Sequence, residues 1–355
     1  MTRLLIIDPQ FAGDPDIERE VTGAGFEYDI IRPEEGAISA DALKAADAIV
    51  NCRSRHALPS KLVDDMDRAK IVVQAGVGFN HIDIDACAKR GIPVCNTPDY
   101  GTVEVADHTL AMALDLLRAT TAYNNRLLVR DDAWSTLQLP VRPVRRIRGL
   151  TFGIIGLGRI GRAAALRARA FEMNVAFYDP YVEAGTELSF GFHRYKTLNE
   201  LLATSDIVSL HCPLTDETSN LIDRAAVERM KPDAILINTS RGGTVDLDAV
   251  FDGLRSDSIC AAGLDVLSTE PLDRSHPLLE AWTKGESWLE GRLLVTPHAA
   301  FYTPQSLCDM RRLSTLAVVE YLRDGSLRSC INLPQLYRHG FEFGPYGGQS
   351  AISVN

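Results

Sequence analysis

Short apolar segments alternate with helical segments along the first hundred residues. The predicted helices cover residues 15–24 and 59–69. The apolar segments have the length of buried parallel strands and cover residues 4–7, 27–31, 48–51, 71–74 and 93–95. Because such alternation places helices on the faces of a mostly parallel sheet, it predicts a small α/β unit.

A second series of apolar segments follows a predicted connecting helix at residues 102–118 and a polar, basic segment at 123–148. We interpret the basic segment as a solvated face or a subunit contact. The six candidate strands cover residues 152–155, 175–178, 207–210, 234–237, 260–264 and 293–296. Numbered one to six, they predict a doubly wound Rossmann sheet in the order 3-2-1-4-5-6, with binding loops at the carboxyl ends of the strands.

A glycine-rich turn directly follows the first strand of this second series. Gly156, Gly158 and Gly161 form the pattern GxGxxG ahead of a predicted helix at 162–171, and the next strand ends at Asp179. Such glycines permit a tight turn and close approach of a pyrophosphate, which then faces the helix N-terminus. A carboxylate at the end of the next strand accepts hydrogen bonds from the ribose hydroxyls and repels a 2′-phosphate. The pattern therefore predicts NAD rather than NADP, and a purely structural glycine turn is the alternative.

Three polar residues follow predicted strands four, five and six: Arg241, Glu270 and His298. Neighbouring strands would bring them to one edge of the sheet. Arg241 can bind a carboxylate bidentately, and His298 can act as general acid/base because histidine ordinarily titrates near pH 6.5. Glu270 is expected to orient His298 and raise its pKa. Each residue alone has a structural alternative, but the set predicts hydride transfer to a 2-oxo acid.

Two loops in the first unit are candidates for substrate binding. Arg53 and Arg55 follow one strand and would suit a substrate with an anionic distal group. Gly76, Val77 and Gly78 follow the next strand and can present backbone N–H groups to a carboxylate. An ordinary glycine turn is an equal alternative for the second loop.

Composition narrows the classes of function. The 355 residues suffice for about two domains, with the 46% hydrophobic and 24% charged content of a soluble globular protein. A net charge of −10 disfavours nucleic acid and anionic membranes as partners. The absence of a signal peptide or a membrane-spanning run predicts a cytoplasmic protein. Seven scattered cysteines without a CxxC pair favour reduced, packed thiols over disulfides or a zinc site, and we predict no metal.

These residues resemble the D-isomer-specific 2-hydroxyacid dehydrogenase family from residue 4 to about residue 333. The matching segments are GVGFNHID at 76–83, GLGRIG at 156–161, YDP at 178–180, HCPL at 211–214, NTSRG at 238–242, GLDV at 263–266, EP at 270–271 and TPHAA at 296–300. The resemblance implies two Rossmann-like α/β domains. A doubly wound NAD domain, 101–300, would be inserted into a smaller flavodoxin-like substrate domain, 1–100 with 301–332, leaving a tail of unknown role at 333–355. It also implies a homodimer built largely on the cofactor domains and a substrate bound in the interdomain cleft.

The resemblance assigns roles to individual residues. Catalysis falls on Arg241, Glu270 and His298. The implied substrate-binding residues are Arg53, Gly76, Val77, Gly78, Arg241 and His298. The implied cofactor-binding residues are Thr109, Gly156, Gly158, Arg159, Ile160, Gly161, Asp179, His211, Cys212, Pro213, Thr218, Thr239, Ser240, Arg241, Asp265, His298 and Ala300.

Within the family, the segments VEVADHTL at 103–110, RIRG at 146–149 and TPHAAFY at 296–302 resemble the C-terminal-binding-protein branch. That branch includes corepressors that sense NAD and bind short peptides, but they carry Arg at the position of Gln74 and Trp at that of Phe301. Phosphoglycerate dehydrogenases resemble the chain at 53–55, whereas formate dehydrogenases pair the histidine with Gln rather than with an acid such as Glu270. Two hypotheses remain: an NAD-dependent D-2-hydroxyacid dehydrogenase, and an NAD-sensing interaction protein with little catalysis.

Overall fold

The computed structural model describes residues 1–32, 38–53, 56–135 and 143–343. They form two compact units. Of the described residues, the split unit combines those in 1–101 with 302–343, and the central unit comprises those in Thr102–Phe301. Among the described ranges, no helix has the length and apolar character needed to cross a bilayer.

The split unit is built on a five-stranded parallel sheet. Its strands are β1 (Thr2–Ile7), β2 (Phe26–Ile31), β3 (Ala48–Asn51), β4 (Ile71–Gln74) and β5 (Val94–Asn96), in the order β2-β1-β3-β4-β5. The helices between them are α1 (Asp16–Thr22), α2 (Ala40–Ala45), α3 (Ser60–Val63) and α4 (Ile84–Lys89). All five predicted strands are confirmed. The strands β3, β4 and β5 are buried throughout and mostly apolar, as strands covered on both faces are, whereas the edge strand β2 also carries Glu27 and Asp29. The helix predicted at 59–69 is much shorter than expected.

The central unit begins with two helices, α5 (Thr102–Arg118) and α6 (Thr120–Val129), ahead of a seven-stranded parallel sheet. The strands are β6 (Thr151–Ile155), β7 (Asn174–Tyr178), β8 (His193–Arg194), β9 (Ile207–Leu210), β10 (Ile235–Asn238), β11 (Ala261–Leu264) and β12 (Leu293–Val295). The connecting helices are α7 (Arg159–Ala170), α8 (Thr186–Phe190), α9 (Leu198–Thr204), α10 (Arg224–Arg229), α11 (Leu247–Arg255) and α12 (Pro277–Thr283). Two parallel sheets with helical connections confirm the predicted α/β class.

The strand numbering of the central sheet requires a correction. The observed order is β12-β11-β10-β9-β6-β7-β8, so the segment 207–210 pairs with β6 instead of lying outside β7. The outer position belongs to β8, whose two residues pair with Ala176 and Phe177 and are too short to produce an apolar run. Because β10, β11 and β12 remain consecutive neighbours, the predicted convergence of their loops does not depend on this error.

The chain returns to the split unit through α13 (Pro304–Asp324) and α14 (Leu333–Arg338). A capping box between Thr303 and Ser306 starts α13. The buried Asn332 ties the return segment to the sheet, since its side chain accepts the Val94 N–H at 2.8 Å and donates to the Ile92 carbonyl at 3.0 Å. Leu336 of α14 is fully buried against α4, so residues 333–343 belong to this core, and residues 344–355 lie outside the described part.

Candidate active site

The three residues predicted to be catalytic lie in loops that follow β10, β11 and β12. His298 Nδ1 lies 2.8 Å from Glu270 Oε2, and the Leu267 N–H donates to Glu270 Oε1 at 3.0 Å. The side chains of His298 and Glu270 are 42% and 36% exposed. Within the described chain, His298 Nε2 makes no hydrogen bond. The pair therefore presents Nε2 as the nitrogen able to exchange a proton with a ligand.

The groups around Glu270 favour its ionised form. Partial burial acts to raise the pKa of this carboxyl, but the hydrogen bond and charge of His298, the Leu267 N–H and the charge of Arg241 outweigh it. The net result is a pKa below the ordinary value of 4.5. Glu270 is therefore ionised near neutral pH and can stabilise a protonated His298.

Arg241 reaches this edge through unusually close backbone packing. A Cβ placed on Gly242 would lie 1.9 Å from the Leu267 carbonyl carbon, so only glycine allows the β10 and β11 loops to touch there. The buried Asn238 side chain donates to the Arg241 carbonyl at 2.9 Å and shapes the same turn. Arg241 Nη1 donates to the Ser240 carbonyl at 2.6 Å. These contacts fix the turn that carries the guanidinium beside the loop that holds Glu270.

Asp265 holds the loop of His298 in place. Its buried carboxylate accepts hydrogen bonds from the Thr296 hydroxyl at 2.6 Å and from the N–H groups of Ala299 and Ala300 at 2.8 and 3.0 Å. The His298 N–H donates to the Asp265 carbonyl at 2.8 Å, while His298 adopts a left-handed backbone with φ 53°. The resemblance implied that Asp265 binds the cofactor, and its contacts in this structure are those of a residue that positions His298.

His108 is a neighbour that the sequence did not indicate. It lies on α5, and its Nε2 contacts the Thr296 hydroxyl at 3.1 Å. The apolar pattern of α5 marks the buried face of the helix but gives no sign that a histidine at its edge meets a loop far along the chain. Thr109 on the same helix is fully buried, and its hydroxyl contacts Val105 O at 2.7 Å and Thr239 Oγ1 at 2.8 Å. Thr109 therefore lies in the core, where its hydroxyl contacts that of Thr239.

The glycine-rich turn has the shape that a dinucleotide requires. Gly156 has φ 91°, and a Cβ there would lie 2.9 Å from the Cys212 nitrogen. A Cβ on Gly161 would lie 2.2 Å from the Gly156 carbonyl oxygen. At Gly158, by contrast, an added Cβ meets nothing described within 4 Å. Gly156 and Gly161 therefore allow close packing of the turn against neighbouring backbone. Gly158 leaves open space at the N-terminus of α7, where a pyrophosphate fits.

Asp179 stands at the end of β7 beside this turn. Its Oδ2 accepts the Leu157 N–H at 2.7 Å, and its Oδ1 accepts the Tyr181 N–H at 2.8 Å. The carboxylate is half-buried, and each oxygen retains acceptor capacity. The geometry suits a carboxylate that accepts the hydroxyls of a ribose.

The remaining predicted cofactor residues surround the same edge of the sheet. Burial lowers the pKa of His211 to about 4, so its ring is neutral, and burial raises the pKa of the Cys212 thiol to about 11. The Thr218 hydroxyl donates to the Pro213 carbonyl at 2.6 Å and closes the loop after β9. Arg159 and Ile160 begin α7, Ser240 precedes Arg241, and Ala300 is buried beside Asp265. In the described residues, no group of three His, Cys, Asp or Glu side chains could hold a metal ion.

The candidate substrate loops of the split unit follow β3 and β4. The half-buried Arg53 makes no hydrogen bond or ion pair with any described residue, and Arg55 lies outside the described residues. Gly76 has φ 146°, and the N–H groups of Val77 and Gly78 donate to no described residue. Val77 is 37% exposed. The loop therefore offers two uncommitted backbone donors, as a carboxylate site requires.

Comparison with known proteins places these features in a family. The sequence profile of the D-isomer specific 2-hydroxyacid dehydrogenase NAD binding domain matches residues 110–300. The chain belongs to the D-isomer-specific 2-hydroxyacid dehydrogenase family. The predicted family is thus confirmed, whereas the nearer resemblance to the C-terminal-binding-protein branch remains a prediction.

The chain is also similar to individual proteins of the family over most of its length. The chain is 33% identical over 291 residues to a D-3-phosphoglycerate dehydrogenase of Archaeoglobus fulgidus, which covers 82% of this chain and 52% of that protein. It therefore spans about half the length of that curated relative.

Two solved structures of the family match nearly the whole chain. An NADPH-dependent glyoxylate/hydroxypyruvate reductase of Sinorhizobium meliloti, with NADP and malonate, matches at 27% identity, TM-score 0.78 and coverage of 95% and 98% of the two chains. A D-lactate dehydrogenase of Aquifex aeolicus, complexed with NAD and lactic acid, matches at 29% identity, TM-score 0.74 and coverage of 94% and 98%.

Proposed function

We propose that this protein is an NAD-dependent dehydrogenase that interconverts a D-2-hydroxy acid and its 2-oxo acid. The observation that carries the proposal is the His298–Glu270 pair, which leaves His298 Nε2 available at the sheet edge that also carries Arg241. The central unit would be the cofactor domain, as the match of its residues 110–300 to a family of NAD-binding domains supports. The split unit would supply contacts to the substrate.

The roles of the side chains follow from their chemistry. NAD, when bound, supplies or accepts the hydride. In the direction of reduction, protonated His298 donates its Nε2 proton to the oxygen that becomes the hydroxyl, and it takes the proton back in oxidation. Glu270 stabilises the protonated ring through Nδ1, and Arg241 binds the carboxylate and polarises the carbonyl of the substrate.

Asp179 supports NAD over NADP in this proposal. A carboxylate at the end of the second strand accepts the ribose hydroxyls and repels the 2′-phosphate. The similarity extends both to a reductase solved with NADP and to a dehydrogenase solved with NAD, so the choice rests on Asp179. We therefore propose that NADH is the preferred coenzyme of this chain.

The free donors of the split unit support a 2-oxo acid as substrate. The N–H groups of Val77 and Gly78 would bind the substrate carboxylate, because nothing described competes for them. Arg53 would bind an anionic distal group, since this cation makes no hydrogen bond or ion pair within the described chain. Gln74, which stands where the corepressors carry Arg, contacts His81 through its Oε1 at 2.8 Å and adds no charge.

An apolar surface on the central unit supports the proposed homodimer. Leu127, Leu128 and Val129 at the end of α6 are 48%, 77% and 79% exposed, and Trp134 nearby is 80% exposed. Large apolar side chains clustered on a surface commonly mark a protein contact. We propose that a second copy of the chain covers them.

The experiment that tests the proposed function is oxidation of NADH and NADPH with a panel of 2-oxo acids. The panel should pair substrates that differ only in a distal carboxylate, because Arg53 predicts a lower KM for the dianionic member. Turnover with NADH preferred is the expected result. Tight NADH binding without turnover of any panel member would favour the NAD-sensing interaction protein instead.

Alanine at two glycines of the turn should separate cofactor binding from folding. Gly161→Ala should lower the free energy of unfolding by about 1–3 kcal/mol, because its Cβ would lie 2.2 Å from the Gly156 oxygen. Gly158→Ala should unfold like the unchanged protein, since its Cβ meets nothing described, yet it should weaken NADH binding about tenfold or more by occupying the pyrophosphate space. Thermal unfolding and fluorescence titration measure the two effects, and normal NADH affinity in Gly158→Ala would contradict the proposed cofactor position.

Glu270→Gln should change both the rate of reduction and the acid stability. Without the carboxylate that holds Nδ1 and stabilises the protonated ring, kcat for reduction should fall about tenfold. Because the pKa of Glu270 is lowered on folding, its stabilisation is complete above pH 4.5 and is lost as the pH falls through the folded pKa. The partly exposed carboxylate limits this stabilisation to under about 1 kcal/mol.

The control for that variant is Glu172→Gln, because Glu172 pairs with Arg148 at 3.0 Å on the surface of the same unit. Initial rates and denaturant unfolding across acid and neutral pH measure both effects. An unchanged kcat in Glu270→Gln would show that the pairing does not support proton transfer.

A further inference from the structure

Two cysteines face each other across an isolated backbone bridge in the split unit. Cys95 lies in β5, and Cys330 lies in the segment between α13 and α14, where it forms an antiparallel bridge with Cys95. Cys95 is fully buried, whereas Cys330 is half-buried and retains part of its surface in contact with solvent. The bridge therefore joins a core strand to the return segment at a pair of thiols.

The hydrogen bonds around the bridge define its geometry. The Ile331 N–H donates to the Val94 carbonyl at 2.8 Å, and the Asn96 N–H donates to the Ser329 carbonyl at 3.2 Å. Because these bonds flank the cysteines on both sides, the two cysteines are a non-hydrogen-bonded antiparallel pair. In such pairs the Cα atoms lie about 4.5 Å apart, within the range of about 4.4–6.8 Å that disulfides span.

The two thiols affect each other's ionisation. The Cys330 thiol donates to the Asn332 side-chain oxygen at 3.3 Å. The neighbouring Cys95 lowers the pKa of Cys330, and Cys330 raises the pKa of Cys95, although burial opposes the ionisation of both. The N–H groups of Asn332 and Leu333 also help to lower the pKa of Cys330. Thiolate character together with solvent access makes a cysteine reactive towards oxidants.

Other cysteines of the chain lack this combination. Burial raises the pKa of both Cys52 and Cys87 to about 12. Cys308 is exposed on α13 and provides a control thiol that faces solvent without a described cysteine partner.

We propose that Cys95 and Cys330 form a reversible disulfide that regulates binding of the 2-oxo acid, an inference that rests on the proposed function. A peroxide oxidises the Cys330 thiolate to a sulfenic acid with release of hydroxide. The Cys95 sulfur then attacks the Cys330 sulfur, so that the S–S bond forms, the S–O bond breaks and the thiol proton leaves with the departing oxygen as water. Overall, two thiols lose two electrons to one peroxide, giving a disulfide and two waters, and a dithiol reverses the reaction.

The residues beside Cys95 connect the disulfide to the substrate loop. The Asn96 side chain donates to the Val77 carbonyl at 2.8 Å, and the Thr97 hydroxyl accepts the Gly76 N–H at 2.6 Å. A separation of about 4.5 Å lies at the short end for a disulfide, whose Cα atoms prefer about 5.5–6 Å. Bond formation should therefore push β5 away from the return segment and shift the loop through these two contacts.

Peptide mapping after oxidation tests the disulfide directly. The folded protein is treated with hydrogen peroxide, blocked with an alkylating reagent and digested with trypsin without reduction. The peptides expected to be linked are residues 91–118 and 329–338, each of which contains one cysteine. Linked peptides that separate after dithiothreitol are the expected result. Free Cys95 together with irreversibly oxidised Cys330 would overturn the proposed disulfide.

Kinetics on the same samples test the regulation. Oxidation should raise the KM for the 2-oxo acid about three- to tenfold while kcat changes less, and dithiothreitol should restore it. Cys330→Ser should abolish the shift, whereas Cys308→Ser should retain it. Linked peptides with an unchanged KM would overturn the regulation. Reduced protein that turns over no 2-oxo acid would refute the proposed function and its regulation, while linked peptides would still establish the disulfide.

Discussion

Replacing His298 with alanine should lower kcat on the order of 10²- to 10⁴-fold in both directions, because the variant has no group that exchanges a proton with the substrate oxygen. The ring is held by Glu270 at 2.8 Å, and its Nε2 makes no hydrogen bond within the described chain. Removal of the ring therefore takes away the proton donor without breaking a buried contact. NADH binding should change by less than about threefold.

The control is His339→Ala, since His339 also faces a carboxylate, with its Nε2 3.3 Å from Asp85 Oδ1 on the split unit. Stopped-flow measurement of NADH oxidation in both variants separates loss of chemistry from loss of binding. A His298→Ala variant that keeps more than a tenth of the normal kcat would remove His298 from the proposed mechanism.

The fold could be predicted where burial leaves an apolar signature. Strands covered on both faces, such as Ile71–Gln74 and Ile207–Leu210, are buried throughout and mostly apolar, with one polar residue each. The two-residue strand His193–Arg194 has no such signature, since only one edge of it pairs and its side chains are partly exposed. Its omission misplaced the strand at 207–210, which pairs with β6 rather than lying outside β7, but it left β10, β11 and β12 as consecutive neighbours.

The residues of the candidate site could be predicted because they directly follow strands. The residues that hold them in position could not. Nothing in the spacing indicates that Asp265 holds the His298 loop through Ala299 and Ala300, because those bonds use backbone groups. The approach of Cys95 to Cys330 was equally hidden, since the two lie far apart in sequence and meet only where the chain returns to the split unit. The sequence predicted packed, reduced thiols, but only the tertiary fold brings Cys95 and Cys330 next to each other.

Replacing Arg241 with alanine should lower kcat/KM for the 2-oxo acid on the order of 10²- to 10³-fold. The guanidinium can bind the substrate carboxylate with two parallel hydrogen bonds, and loss of one partner of such a charge pair costs about 2–5 kcal/mol. Arg241→Lys should recover only part of the loss, because an ammonium keeps the charge but not the planar fork. Added guanidinium should partly restore Arg241→Ala.

The control for Arg241 is Arg148→Lys, since Arg148 pairs with Glu172 at the surface and its side chain is 75% exposed. That change should leave kcat/KM within about twofold of normal, because exposed ion pairs contribute little. The comparison of KM with kcat decides the role of Arg241. If Arg241 binds the carboxylate and also polarises the carbonyl, KM rises and kcat falls together, whereas a purely structural role would lower thermal stability and escape rescue by guanidinium.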